Sequence, residues 1–251
     1  MDQNASKVKT ALAVGLGFAM ALCSGCTTTR TLSVSPANRT AATSEQGVPC
    51  LQSVKKNAVA VWLLTPEYQT DLREFDPPAF RVLVRNGGDK AFDFSPVNVI
   101  ASSGGNSVHV FSSGEYCQAI DRYEDALLQA AHERTALQKA QAVSAEELLG
   151  SVSSRDPMRL GVGGDFSGHQ VSDFQAGIDQ AATDQWNAIN LKRKNLLDEA
   201  QLMLVPHTVA PGLMAGGIVK LDPAQISRGQ PLKLVVTVGG ETHEFVFEVG
   251  G

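Results

Sequence analysis

Five histidines, four cysteines and 26 acidic side chains are the groups that could do chemistry in this 251-residue chain. Their spacing decides what that chemistry would be. His132-Glu133 opens like the zinc-binding helix H-E-x-x-H, but Ala136 stands where the second imidazole is required, so the pair does not close on a metal. Residues 161–168, GVGGDFSG, miss the dinucleotide pattern G-x-G-x-x-G because Phe166 takes the last glycine's place. With a helix after them and no strand before them, they read as a connection. Ser167 lies between Asp165 and His169, not between the glycines of a nucleophile elbow. His109, His207 and His243 fall in or near expected strands, yet beyond residue 26 no H-x-H or C-x-x-C pair exists, and no metal site is assigned. His243 is expected at the end of the core face of a hairpin. Asp121, Glu124 and Asp125 sit at the start of an expected helix, where they complement its dipole. Trp62 and Trp186 fit core or helix packing, with ligand recognition as the alternative. No catalytic residue and no cofactor is expected.

Net charge excludes another class. The chain carries 21 basic against 26 acidic residues, a net −5, and only 6% aromatics. Its longest basic run is Lys192-Arg193-Lys194. Neither a basic field nor a stacking platform for nucleic acid is present.

The N-terminus carries the clearest signal. Lys7 and Lys9 precede the uncharged apolar run Ala11 to Leu22, which is shorter than the approximately 20 residues a spanning helix needs and has the length of an export signal. Leu22-Cys23-Ser24-Gly25-Cys26 follows. This stretch resembles the lipobox of bacterial lipoproteins, although Cys23 stands where the family usually has leucine. The resemblance implies removal of residues 1–25 and acylation of Cys26, palmitate included, so that a lipid holds the chain to a membrane. Thr27 in place of aspartate implies the outer membrane with the body facing the periplasm; inner-membrane or surface placement is the alternative. Ordinary secretory cleavage after a small residue is the alternative to lipidation itself. Export would leave Cys50 and Cys117 as the remaining thiols in an oxidising compartment, where a disulfide between them is expected. Two unrelated small buried residues are the other reading.

The elements that must position these groups divide into four stretches after the signal. Residues 26–49 are rich in Thr, Ser and Ala without apolar period and read as a flexible tether, with a mean reach of about 25 Å. Residues 50–118 form a first β block, in which Phe80 to Arg85 alternates with the period of a half-buried strand. Residues 119–201 carry helical spacing: a helix from about Ala119 to Ala142, a short one capped by Ser144-x-x-Glu147, and a long one capped by Ser172-x-x-Gln175. Residues 202–251 form a second β block. Its Gly239-Gly240 turn should pair Val236 with His243, Leu234 with Phe245 and Leu232 with Phe247. Neither block has strands enough for a two-sheet core, but their sum matches an immunoglobulin-like domain. The expected class is α+β: an immunoglobulin-like β-sandwich with a long helical-hairpin insertion. The expected function is that of a membrane-tethered envelope lipoprotein, a binding or structural module that meets an envelope protein partner through its helical insertion. A hydrolase with a non-motif active site and a small-ligand carrier are the alternatives.

Overall fold

A computed structural model describes residues 29–35, 42–45, 47–69, 75–153 and 169–250. Cys26 with its signal and residues 161–168 lie outside them. Before the helices run β1 (Thr29–Val34), β2 (Ala42–Glu45), β3 (Val48–Val54), β4 (Ala58–Leu63), β5 (Glu67–Gln69), β6 (Ala79–Arg85), β7 (Phe92–Phe94), β8 (Val99–Ser103) and β9 (Asn106–Val108). Two helices follow, α1 (Ser113–Ser153) and α2 (His169–Ala200). The chain returns through β10 (His207–Val209), β11 (Met214–Lys220), β12 (Leu232–Val238) and β13 (Glu241–Gly250). The class is α+β, with all named strand pairs antiparallel.

Strands from before and after the helices contribute to both main sheets. One sheet runs β5-β1-β13-β12-β8-β9 and the other β11-β6-β4-β3-β2, with β10 and β7 as a separate pair. Period-2 patterning explains the core they enclose. In β12 every second residue, from Leu232 to Val238, is buried, and β6 turns Phe80, Val82 and Val84 inward. The single large core draws Leu51, Val61, Phe80 and Val219 from one sheet and Leu32, Leu234, Phe245 and Phe247 from the other. Phe80 and Phe247 meet across the gap with ring centroids 4.9 Å apart. The β12–β13 hairpin has the register its turn predicts: Val236 opposite His243, Leu234 opposite Phe245, Leu232 opposite Phe247. Gly239 and Gly240 both take positive φ, 56° and 81°, which the tight turn requires and other residues resist.

Three expectations are corrected. The stretch read as a tether contains β1 and β2. β1 is an interior strand, paired with β13 on one side and β5 on the other. Low apolar content did not forbid this: an interior strand has ladder partners on both sides, and two inward apolar residues, Leu32 at 3% exposure and the partly buried Val34, suffice when Thr and Ser point outward. The first helix is continuous and starts earlier than Ala119. Its capping box is Ser112-x-x-Glu115, with the Ser112 N–H and hydroxyl both donating to the Glu115 carboxylate at 2.8 and 2.7 Å. Ser144 caps nothing; its hydroxyl donates back to the Ala140 carbonyl inside α1. α2 likewise begins at His169, so Ser172 lies within its first turn. Finally, Cys50 and Cys117 are not bonded to each other. Cys50 lies on β3 opposite Trp62, on the sheet face turned away from Leu51 and the core. Cys117 rides on α1 beside Tyr116, in the separate cluster at the base of the helices. Cys50 thus belongs to the sheet, and Cys117 to a helix that starts early enough to include it.

Candidate functional site

The helical hairpin joins the β body at one pole, termed the root pole. β11 alternates Val219 into the core and Lys220 onto the opposite face, where the helices cover it. Lys220 is 2% exposed. Its ammonium lies 2.5 Å from the Glu199 carboxylate of α2 and 4.8 Å from the centre of the Tyr116 ring of α1. A cation withdrawn from water this far needs a counter-charge, and the ring face adds a second attraction. Phe75 stacks on Tyr116 at 5.7 Å and meets Tyr123 at 5.6 Å, while Phe111, Ile120, Leu196, Ala200 and Met203 complete the cluster. The Tyr116 hydroxyl has no hydrogen-bond partner among the described residues. Burial first, then the charge of Glu199 and Asp76, pushes its pKa far up, so the phenol stays protonated. The chain returning from α2 is clamped to β11: Leu204 N–H donates to Ile218 O at 2.8 Å and Ile218 N–H to Leu202 O at 2.9 Å.

Beyond the root, among the described residues, α1 and α2 pack on each other. Ala131, Ile178 and Ile189 are the buried seam residues. Ion pairs set the register: Arg193 with Asp121 at 3.0 Å and Glu124 at 2.6 Å, and Lys139 with Asp179 at 2.8 Å. Asp121 and Glu124 therefore serve the helix–helix contact; with α1 starting at Ser113 they lie beyond its first turn, where Glu115 stands instead. At half exposure or so, these pairs align the helices more than they stabilise them. Outside the seam, Leu137 is 65%, Trp186 51% and Leu191 61% exposed. Of the two tryptophans, Trp186 is thus half in water on the hairpin and Trp62 is half-buried on the β body.

The opposite pole carries the β3–β4 and β12–β13 turns. Glu241 takes the Asn57 N–H at 2.8 Å, the Asn57 side-chain amide at 2.9 Å and the Lys56 N–H at 3.2 Å. These donors hold its carboxyl below the usual range, the Asn57 N–H most of all. His243 is 1% exposed, where sequence alternation puts it. Its Nδ1 lies 2.9 Å from Ser53 Oγ and its Nε2 3.9 Å from Glu241. Burial, and Lys55 after it, lowers the imidazole pKa despite Glu241. A hydroxyl on an imidazole near a carboxylate has the residue types of nucleophile, base and orienting acid. The acid here already accepts three N–H groups and stands beyond hydrogen-bond range of the ring. The arrangement instead ties β13 to β3 and to the β3–β4 turn. A hollow of about 250 Å3 opens beside it, lined by Lys56, Asn86, Asp89 and Lys90 among others. Lys56 pairs with Asp89 at 3.0 Å.

The remaining histidines are dispersed. His109 lies 3.5 Å from Glu115, His132 is exposed on α1 and His207 begins β10. Among the described residues no group of three or more His, Cys, Asp or Glu side chains is placed to hold a metal, and no helix is long and apolar enough to cross a membrane. Sequence reasoning missed Lys220, Glu199 and Ser53. A lysine in an otherwise apolar strand, one residue before Leu221, was the available signal for the first; the other two had none. Comparison with protein-family models, with curated proteins and with solved structures finds no match.

Proposed function

We propose that this chain is an envelope lipoprotein, held to the outer membrane through acylated Cys26, whose helical hairpin docks another envelope component. An immunoglobulin-like sandwich serves as the scaffold. The observation that carries the reading is the unequal length of the hairpin and its support. α1 has 41 residues, about 60 Å of helix, yet the cluster that fixes it to the β body involves Tyr116 to Leu127 only. The rest is a two-helix coil with a thin seam and exposed Leu137, Trp186 and Leu191. A soluble scaffold that needed only a closed core would end its helices near the root. Tryptophan, as at Trp186, is enriched among the anchors of protein interfaces, and the exposed leucines add apolar surface beside it.

A photo-crosslinking residue placed at Trp186 of the exported protein tests this. It should form a discrete protein adduct that the same residue at exposed Val54 on the β body does not form. No adduct from Trp186, or the same adduct from both positions, would reject the hairpin as the docking element.

A further inference from the structure

We infer that the start of β1, which three peptide units tie to the acylated Cys26, shares one pole of the molecule with the root of the hairpin, so that the protein stands with its root pole on the bilayer and its turn pole pointing away. This rests on the lipoprotein reading and concerns what that anchor meets. Three peptide units separate Cys26 from Thr29, where β1 begins, a span of at most about 11 Å. β1 is not free to swing, because β13 and β5 hold both its edges. Thr29 pairs with Gln69, and Gln69 bridges to Asp76. Asp76 follows Phe75, the residue stacked on Tyr116 and Tyr123 of α1. Two strand spacings, about 10 Å, therefore separate the start of β1 from the segment that seats the hairpin.

Independent contacts place Thr29 at the same end. The Arg30 guanidinium donates to the Ile226 carbonyl, Gly229 N–H donates to Val249 O at 3.2 Å, and Thr31 pairs with Gly250. The turn pole lies at the other end of β13, whose 10 residues extend about 30 Å. The lipid surface thus faces Thr29, Glu67, Arg228 and Glu248, while Lys55, Asp89 and Gly240 face outward.

Lipidated protein carrying Cys50→Ala and Cys117→Ala, with a donor dye on Arg228→Cys or on Lys90→Cys, is reconstituted in vesicles holding acceptor-labelled headgroup lipid. Energy transfer should be several-fold stronger from position 228 than from position 90, and a twelve-residue Gly-Ser insert between Thr28 and Thr29 should bring the two together. Equal transfer without the insert, in protein whose mass shows acylated Cys26, overturns the orientation and leaves the anchor standing. A mass without acyl groups overturns the anchor and the orientation with it. Carboxyl footprinting of the lipidated wild-type chain gives the same answer without new cysteines: Glu67 and Glu248 protected by vesicles, Asp89 and Glu244 not. Uniform labelling would count against the orientation.

Discussion

Removing the Glu199 carboxylate should loosen the hairpin root by stranding a buried cation. Lys220 is 2% exposed and Glu199 is its ion-pair partner at 2.5 Å. Breaking a buried pair from one side costs about 3–5 kcal/mol. The Glu199 side chain is 48% exposed, so water can approach the stranded ammonium, and about 2 kcal/mol is expected for Glu199→Ala. Lys220→Met keeps the stem that packs beside Tyr116 and removes the charge; it should change stability by less than about 1 kcal/mol. In the Lys220→Met background, Glu199→Ala should then cost little, giving a coupling of about 2 kcal/mol. Urea unfolding at pH 7.5 measures all four proteins. Trp62 on β4 and Trp186 on α2 report the β body and the hairpin, and single-tryptophan versions separate the two signals. Hydrogen exchange in α2 should rise in Glu199→Ala more than exchange in β12. If Glu199→Ala stays within about 0.5 kcal/mol of the parent, or costs the same with methionine at position 220, the counter-charge argument is wrong.

Three further outcomes are expected elsewhere in the fold. A Cβ at Gly217 would stand 2.6 Å from the Leu204 Cα, on the backbone that returns from α2. Gly217→Ala should therefore cost about 2–3 kcal/mol, whereas Gly177→Ala, with nothing within 4 Å, should gain about 1 kcal/mol from helix propensity; thermal melts of both decide. The depressed pKa of His243 means that the unfolded chain takes up the proton first as pH falls. Its contribution to stability is fully present above the ordinary histidine pKa and is lost below it, down to the folded value, at no more than about 1.4 kcal/mol per pH unit. The melting temperature should drop between pH 7.5 and 5.5 more in the parent than in His243→Asn, and equal drops would remove His243 as the cause.

The features legible in the sequence are those set by neighbours along the chain. The β12–β13 register follows from two glycines and period-2 alternation, both local, and the structure has it residue for residue. The inward set Phe80, Val82, Val84 follows from the same period. The α+β class follows from the change of period between the β blocks and the helices. The lipobox resemblance rests on five consecutive residues, Leu22 to Cys26, that lie outside the described part.

What tertiary structure decided is every property that depends on a partner far along the chain. β1 has a polar sequence; it is a strand because β13 and β5, from opposite ends of the chain, satisfy its backbone on both edges. Lys220 is an ordinary strand lysine until α1 and α2 close over it with Tyr116 and Glu199. Cys50 and Cys117 look like a pair along the chain, but one sits on a strand and the other on a helix, and no bond joins them. Ser53 and His243 are 190 positions apart and meet only because two sheets pack face to face. Periodicity tells which side of an element is buried. Only packing tells what lies against it.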